Sequence, residues 1–458
     1  MNRVTRRASA VLLLVIALVG GLGFFVFEYF TKADQWIVSA GSPHIYNSSN
    51  IGCGVVYDRS GKLLLDMTES RTYAKDETVR RATLHWLGDR KGSISAPAVA
   101  HYAKEMTGYN IIDGLYSYGG GTGAAVLTLS SKVQTVALNA MGDRKGTVAV
   151  YNYKTGEILC AVTTPTYDPD NVPDIAGDTS GAFEGVYLNR FVQSSYIPGS
   201  IFKVVTTAAA LDCVDGILDE TFQCTGLYEY GIDKVTCERA HGTLTLKEAL
   251  ARSCNCAFAQ IAALVGKKNM EKYVEQFEVV KPLKFDGVTT AAGNYNVSKA
   301  APVELAWSAI GQYTNLINPC RYMTFMGAIA GGGKAAEPHI VSHVTSEGEI
   351  TYEAEPVMMN RIMSEKVAEK LQSYLRNNVV SVYGKGKFPD MNICGKSGTS
   401  QLGGDQDPNA MFAGFVLDDK YPLAFIAVVE NGGYGSSTCI PILSKVLAAC
   451  KDEIDGRG

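Results

Sequence analysis

The 458-residue sequence lacks several features that would assign it to a common class of protein. It has a formal net charge of only −4 at pH 7, and no block rich in lysine and arginine follows the N-terminus. Because the nucleic-acid backbone is bound by a concentrated positive surface, no nucleic-acid partner is expected. The chain has only 6 histidines, and His339 and His343 are four residues apart. No glutamate follows His339, so the H-E-x-x-H motif of metalloproteases is not present there. A metalloprotease site is therefore not expected, and the histidines are interpreted as structural or surface residues.

The sequence also lacks a phosphate-binding loop, although it is rich in glycine. No Lys-Ser or Lys-Thr pair follows the glycine-rich residues 118–124, and Ala335 stands where residues 327–338 would need a hydroxyl. Both stretches are interpreted as turns. A nucleotide cofactor is therefore not expected.

No C-x-x-C pair occurs among the 11 cysteines, and Cys254 and Cys256 are too close for the usual zinc knuckle. The sequence thus predicts no metal and no organic cofactor. The odd number leaves at least one thiol unpaired in a monomer. Cys224 and Cys237 flank the hairpin-like stretch TGLYEYGIDKVT, so they are the best candidates for a disulfide. Free buried thiols fit the sequence equally well.

One long apolar run is present, at residues 8–27, with Ser9 as its only polar member. About 20 apolar residues are enough to cross a bilayer as a helix. Three arginines precede the run and two acidic residues follow it: Arg3, Arg6, Arg7, Glu28 and Asp34. This asymmetry predicts that residues 1–7 are cytoplasmic and that the rest lies outside the cell membrane. A cleaved signal peptide is the alternative, but its apolar run would be shorter and would end in small residues.

The remaining sequence predicts an α+β fold. Two apolar strands flank the turn at residues 154–157, helical patterns dominate from Ser200 to about Val265 and at 302–330, and strand patterns return near 393–429. This order predicts an antiparallel sheet assembled from both ends of one domain, with helices packed on it. We place a small N-terminal domain at residues 35–125 and the main domain at 126–458.

Ser200 and Lys203 form an S-x-x-K motif at the predicted start of a helix. Residues at positions i and i+3 share one helical face, so the Lys203 amine can reach the Ser200 hydroxyl. A serine needs a neighbouring base to become a nucleophile, and a lysine can be that base only if burial lowers its pKa. Four apolar neighbours were expected to provide that burial: Ile201, Phe202, Val204 and Val205. Alone, the motif is equally typical of a core lysine that extends to the surface.

Two further motifs follow in order. Ser253-Cys254-Asn255 is an S-x-N in which the serine can relay a proton and the asparagine can bind a substrate amide. Lys396-Ser397-Gly398-Thr399 lies on a predicted strand, where a lysine and two hydroxyls can bind a carboxylate and Gly398 lets a substrate backbone approach. Each motif alone is also typical of an ordinary helix end or strand end.

Together, the three motifs resemble those of penicillin-binding proteins and serine β-lactamases. The chain is more similar to the class B penicillin-binding proteins, which are membrane-anchored peptidoglycan transpeptidases. Segments similar to this family include GTVAVYNYKTGEILCAVTTPTYDPD, HGTLTLKEALARSCN and AIGQYTNLINPCRYM, and the similarity extends over residues 125–450. Upstream it departs from the family, with Cys53 in place of an arginine and Ser130 in place of an aspartate. The resemblance implies that residues 126–458 form the transpeptidase domain and that 35–125 form a pedestal.

The resemblance also implies a role for each residue of the motifs. Ser200 would be the acylated nucleophile, Lys203 its general base and Ser253 the proton relay to the leaving amine. Asn255 would orient the substrate. Lys396, Ser397, Gly398 and Thr399 would line the subsite for the terminal carboxylate, and the N–H groups of Ser200 and Thr399 would form the oxyanion hole.

The implied function is cross-linking of peptidoglycan stem peptides, with β-lactams as covalent inhibitors. The implied partners are the lipid-linked precursor polymer and a membrane glycosyltransferase. Two alternatives stay open: a hydrolytic D,D-carboxypeptidase or β-lactamase, and a non-catalytic β-lactam sensor or cell-wall scaffold. The motifs do not separate transfer to an amine from transfer to water, because both reactions use the same acyl-enzyme.

Overall fold

Helices and strands alternate along the chain in the computed structural model, which describes residues 2–37, 46–47, 50–51, 54–68, 70–107, 123–401, 403 and 406–456. Cys53 and most of the glycine-rich stretch at 118–124 lie outside these residues. The helices are α1 (Asn2–Ile37), α2 (Glu77–Leu87), α3 (Pro97–His101), α4 (Ala103–Thr107), α5 (Ser131–Met141), α6 (Arg190–Gln193), α7 (Lys203–Cys213), α8 (Leu246–Ala251), α9 (Asn255–Gln276), α10 (Pro302–Ala309), α11 (Pro319–Ala330), α12 (Glu365–Asn378) and α13 (Gly435–Asp455).

The strands are β1 (Tyr46–Asn47), β2 (Asn50–Ile51), β3 (Val55–Tyr57), β4 (Leu63–Asp66), β5 (Thr72–Tyr73), β6 (Ala124–Leu127), β7 (Gly146–Asn152), β8 (Ile158–Thr164), β9 (Thr221–Cys224), β10 (Leu227–Tyr230), β11 (Asp233–Thr236), β12 (Gly242–Thr245), β13 (Lys284–Phe285), β14 (Val288–Thr289), β15 (Val341–Ser346), β16 (Glu349–Glu353), β17 (Ile393–Ser400), β18 (Asn409–Val416) and β19 (Leu423–Val429). Short helical turns occur at Gly199–Phe202, Val379–Tyr383 and Lys385–Lys387.

The central sheet has five antiparallel strands in the order β17-β18-β19-β7-β8. Its first two strands along the chain, β7 and β8, come before the helical region and its last three come after it. The predicted α+β fold, with one sheet assembled from both ends of a domain, is therefore confirmed. Strand β17, which carries the K-S-G-T motif, is an edge strand of this sheet.

Both faces of this sheet are covered by helices. Val148 and Val150 of β7 belong to the core shared with α5 and α13, whereas Ala149 and Tyr151 belong to the core shared with α7 and α11. The strands are consequently buried along nearly their whole length. The predicted hairpin at 146–164 is correct, and its strands are buried on both faces because successive side chains enter two different cores.

A second sheet, of six strands, has the order β16-β15-β6-β3-β4-β5. Strand β6 pairs in parallel with β3 and antiparallel with β15, so the sheet combines strands from both sides of residue 125. Helix α2 also contacts the central sheet, where the Trp86 indole donates a hydrogen bond of 2.7 Å to the Ala161 carbonyl. The division into domains at residue 125 stays a prediction, and the sheet that spans it ties the N-terminal segment to the rest.

The region between α7 and α8 differs from the predicted continuous helical pattern. It contains two antiparallel ribbons, β9 with β12 and β10 with β11. The predicted hairpin between Cys224 and Cys237 is the second of these ribbons. Tyrosine and threonine, which favour strands, recur along this segment and explain the difference from the expected helix.

Helix α1 contains the apolar run. The span Arg3–Lys32 has a mean hydropathy of 2.8, and its most apolar part is not buried against the described chain. Its length and composition are sufficient to cross a membrane.

Candidate active site

Ser200 lies on a tight turn directly before α7. Pro198 and Gly199 precede it, and Gly199 has φ of +54°, in the left-handed region that favours glycine. A Cβ at Gly199 would stand 2.5 Å from the Thr399 carbonyl oxygen, so the turn packs directly on β17. The local sequence therefore places the Ser200 hydroxyl beside the edge strand of the central sheet.

Lys203 begins α7, and its side chain is completely buried. Its Nζ lies 3.0 Å from Ser200 Oγ, 2.7 Å from the Ser253 carbonyl oxygen and 2.7 Å from Asn255 Oδ1. The Phe258 ring of α9 lies 5.6 Å from the amine. Burial, reinforced by the nearby positive charge of Lys396, lowers the pKa of Lys203 from 10.5 to about 7.

The expected source of that burial is partly corrected by the structure. Ile201, Phe202, Val204 and Val205 are all buried. Apart from Ser200, however, the groups named above that contact the amine come from α9 and the turn before it, which are about 50 residues away in sequence. Tertiary packing, rather than the adjacent residues alone, keeps Lys203 away from water.

Ser253 and Asn255 lie between α8 and α9. Ser253 has φ of +53°, an unfavourable conformation for a serine, and this geometry directs both its carbonyl and its hydroxyl at Lys203. Asn255 is the first residue of α9 and donates from Nδ2 to the Thr236 carbonyl at 2.9 Å. The S-x-N motif thus contacts the S-x-x-K motif through its own backbone and both of its polar side chains.

Lys396 completes the convergence of the three motifs. Its Nζ lies 3.1 Å from Ser253 Oγ, which is also 3.1 Å from Lys203 Nζ. Only 1% of Lys396 is exposed, and burial lowers its pKa to about 7. Because the hydroxyl of Ser253 lies between two amines, it can accept a proton from one and donate its own to the other.

Ser397 and Thr399 lie half-buried on β17. The Tyr383 hydroxyl accepts a hydrogen bond from the Ser397 N–H at 2.9 Å and lies 3.0 Å from Ser397 Oγ. Thr399 Oγ1 accepts from the N–H of Gly435 at 3.3 Å. Tyr383 was not identified from the sequence, because no local pattern links a tyrosine after α12 to a strand 14 residues later.

The structure gives a reason for a glycine at position 398 that differs from the expected approach of a substrate backbone. A Cβ at this position would stand 2.9 Å from the Pro198 carbonyl oxygen and 3.0 Å from Ile201 Cγ2. The absence of a side chain therefore allows β17 to pack against the Ser200 turn. A role for Gly398 in the approach of a substrate backbone stays a prediction.

A cleft of about 1010 Å³ opens over these residues. Its polar wall includes members of all three motifs, which are Ser200, Ser253, Asn255, Ser397 and Thr399. Trp307, Ile310, Val382 and Tyr434 add apolar surface. The two lysines lie beneath the cleft floor, where they reach the serines without exposure to water.

The cysteines behind the S-x-N motif lie close together without a disulfide. All ten described cysteines are free, so the candidate pair Cys224 and Cys237 is not bonded, and the alternative of free thiols is the one observed. Cys237 Sγ lies instead 3.6 Å from Cys254 Sγ, and Cys224 Sγ lies 3.5 Å from His241 Nδ1. Four candidate metal ligands thus meet next to Asn255, although the sequence contains no C-x-x-C pair.

Comparisons with known proteins agree with this architecture. Residues 146–448 match the family model described as the penicillin binding protein transpeptidase domain. The chain is 29% identical over 360 residues to the peptidoglycan D,D-transpeptidase PbpA of Mycolicibacterium smegmatis, covering 71% of this chain and 72% of that protein. It is 27% identical over 347 residues to the stage V sporulation protein D of Bacillus subtilis, covering 70% of this chain and 52% of that protein. The alignment thus spans about half of the latter.

Solved structures show the same fold. The penicillin G acyl-enzyme complex of penicillin-binding protein A from M. tuberculosis superposes with a TM-score of 0.75 at 22% identity, covering 87% of this chain and 99% of that chain. The transpeptidase domain of a peptidoglycan glycosyltransferase from Eggerthella lenta gives a TM-score of 0.75 at 24% identity, with 87% and 98% coverage. The apolar helix α1 and these similarities indicate a membrane-anchored protein. The chain belongs to the penicillin-binding protein transpeptidase family, as a class B member.

Proposed function

We propose that this chain is a membrane-anchored serine D,D-transpeptidase that cross-links peptidoglycan stem peptides through an acyl-enzyme on Ser200. The observation that carries this proposal is the distance of 3.0 Å between Lys203 Nζ and Ser200 Oγ beneath an open cleft. A nucleophile and a base at hydrogen-bonding distance are the minimum for acyl transfer.

The hydrogen bonds around Lys203 support its role as the base. The Ser253 carbonyl and Asn255 Oδ1 are acceptors, and each lies 2.7 Å from the amine. A neutral amine has two N–H groups, which these acceptors satisfy, and one lone pair that is left to accept the Ser200 proton. With a pKa of about 7, Lys203 is neutral in about half of the molecules at neutral pH.

The proposed reaction begins when Lys203 takes the Ser200 proton and Ser200 Oγ attacks the carbonyl carbon between two D-alanines. The N–H groups of Ser200 and Thr399 stabilise the oxyanion, which is supported by the close packing of Gly199 on Thr399. Ser253 relays the proton to the departing amine, and D-alanine leaves. An amine of a neighbouring stem then attacks the ester, and the cross-link forms as Ser200 regains its proton.

Lys396 and the two hydroxyls of β17 are suited to the terminal carboxylate. Burial lowers the pKa of Lys396 to about 7, and a bound carboxylate would raise it by favouring the charged form. Binding of an anionic substrate and protonation of Lys396 therefore support each other. β-Lactams carry a similar carboxylate beside a reactive amide and are expected to acylate Ser200.

The charges around α1 support an orientation with residues 1–7 in the cytoplasm and the catalytic residues outside. In this orientation the substrate is the lipid-linked glycan polymer on the outer face of the cell membrane. Because cross-linking requires polymerised strands, a membrane glycosyltransferase is the partner class that fits this reaction.

The test is acylation of the full-length protein, in detergent, by a fluorescent penicillin. Ser200→Ala should abolish labelling, whereas Ser436→Ala, which alters another serine of the same cleft, should retain it. Persistent labelling of Ser200→Ala would reject the assigned nucleophile. Wild-type protein given a stem-peptide donor and an amine acceptor should form the amide cross-link. If only the hydrolysed donor appears, the protein is a D,D-carboxypeptidase instead.

A further inference from the structure

Three cysteines and one histidine converge behind the S-x-N motif. Cys224 ends β9, Cys237 follows β11, His241 precedes β12, and Cys254 caps the N-terminus of α9. Their ligand atoms all lie within 4.8 Å of one another. Cys224 and Cys254 are buried, and the other two are partly buried. Three separate chain segments therefore direct four metal-ligating groups to one point.

The distances fit a tetrahedral metal centre. Zinc–sulfur and zinc–nitrogen bonds of about 2.3 and 2.1 Å at tetrahedral angles give sulfur–sulfur and sulfur–nitrogen distances of about 3.8 and 3.6 Å. The observed distances are 3.6 Å between the sulfurs of Cys237 and Cys254, and 3.5 Å between Cys224 Sγ and His241 Nδ1. A disulfide would need a separation of about 2.05 Å.

Backbone N–H groups are directed at two of the sulfurs. Cys237 Sγ accepts from the N–H groups of Asn255 at 3.0 Å and Cys256 at 3.4 Å, and Cys254 Sγ accepts from Ala257 at 3.3 Å. These are the first free donors of α9, at the end of the helix that favours negative charge. Such donors stabilise thiolates, which are the form of cysteine that binds metals.

We propose that Cys224, Cys237, His241 and Cys254 bind one zinc ion in a closed structural site. Three thiolates and one imidazole suit zinc, and four protein ligands leave no open position for a substrate. The ligands are separated by 12, 3 and 12 residues, so no C-x-x-C pair is needed. The ends of β-ribbons bring them together instead.

This site would position the catalytic machinery without touching the substrate. Cys254 lies between Ser253 and Asn255, which both contact the Lys203 amine. Cys237 follows Thr236, whose carbonyl holds Asn255 Nδ2. A metal bound here ties the ribbons to the start of α9 and maintains the left-handed backbone of Ser253. Loss of the metal should therefore disturb the alignment of Lys203, although the ion does not contact Ser200.

The first test is the metal content of the full-length protein, expressed with zinc available and purified under reducing conditions. We expect about one zinc per chain by elemental analysis. Chelation should lower the Tm by about 5 °C or more, and added zinc should restore it, because the ion binds the folded state. Penicillin acylation should slow by about tenfold or more on chelation and recover with zinc. These measurements need no variant, so they stand even if ligand substitutions prevent folding.

The second test compares two cysteine variants. Cys224→Ser should lose the bound zinc. The control, Cys213→Ser at the end of α7, should retain it, because Cys213 is not one of the four clustered ligands. Equal zinc content in the two variants would overturn the ligand assignment.

Two further outcomes would overturn the proposal outright. One is a wild-type protein that is purified without metal and whose Tm is changed neither by chelator nor by added zinc. The other is a Cys237–Cys254 disulfide, detected by differential alkylation, in protein that is active without zinc. The metal content does not depend on acylation. A zinc-loaded protein that no penicillin labels would therefore reject the proposed function and leave the metal site intact.

Discussion

Replacement of Lys203 by methionine should separate the chemistry of this residue from its structural role. Lys203→Met retains the length and apolar stem of the side chain but removes the amine that contacts Ser200 Oγ. General-base catalysis contributes about 10²- to 10⁴-fold, so penicillin acylation should fall by about that factor. In the wild type, the rate should rise with pH through about 7, as Lys203 loses its proton.

The same substitution should leave stability at pH 7 nearly unchanged. Burial lowers the pKa of Lys203 from 10.5 to about 7, and at about 1.36 kcal/mol per pKa unit this costs roughly 5 kcal/mol. Methionine removes that cost. It also leaves the Ser253 carbonyl and Asn255 Oδ1 without this donor, at about 1–3 kcal/mol each. The two contributions nearly cancel.

The pH dependence gives a sharper test, since its sign follows from the lowered pKa. Between about pH 7 and 10.5 the unfolded chain retains a proton that the folded protein has lost at Lys203. The free energy of unfolding of the wild type therefore rises with pH in this window, by about 1.4 kcal/mol per unit from this residue. Lys203→Met lacks that contribution, so it should become less stable than the wild type by about 4 kcal/mol at pH 10.

The assay is thermal or denaturant unfolding of both proteins at pH 7, 8, 9 and 10, beside the labelling rate. Lys132→Met, at an exposed position of α5, is the control and should run parallel to the wild type. Titrating groups that do not interact with Lys203 are common to all three proteins and cancel in the differences. A constant difference between Lys203→Met and the wild type across this pH range would refute the lowered pKa.

Two further substitutions test the edge strand. Gly398→Ala places a Cβ 2.9 Å from the Pro198 carbonyl oxygen, and the resulting shift of the Ser200 turn should slow penicillin labelling by about 100-fold. The control, Gly386→Ala, places its Cβ in open space and should be labelled at the wild-type rate. Equal labelling rates of the two variants would contradict the role of Gly398 in packing β17 against the Ser200 turn. Tyr383→Phe removes the hydroxyl that holds Ser397. For this variant we expect up to about tenfold weaker initial binding of the β-lactam, with little change in the acylation rate at saturation. A change confined to the acylation rate would contradict a role of Tyr383 in positioning Ser397.

The site was predictable from sequence wherever neighbours along the chain decide the geometry. Ser200 and Lys203 are three residues apart, and the predicted contact is confirmed at 3.0 Å. The strands of the central sheet were identified by their apolar runs, although their burial on both faces was not. In the ribbon region, by contrast, the helical pattern was misleading, because tyrosine and threonine favour strands there and segments about 20 residues apart pair with each other.

Contacts between distant segments could not be predicted in the same way. Tyr383 reaches Ser397 because the turn after α12 packs on β17. Cys237 also contacts Cys254, a pair that the sequence did not suggest, because the chain enters α9 beside the end of β11. No spacing rule for adjacent ligands describes such a cluster.

The sequence by itself determined the apolar helix, the strands of the central sheet on either side of a helical region, and the three motifs with their residue types, because these depend on local composition and periodicity. Only the tertiary structure decided that Ser253 Oγ lies 3.1 Å from two lysines that are 193 residues apart in sequence. It also decided the proton affinity of those lysines and the meeting of three cysteine side chains and one histidine. The physical reason is that pKa values and coordination geometry depend on the atoms within a few ångströms, and folding brings those atoms from segments that are far apart in the chain.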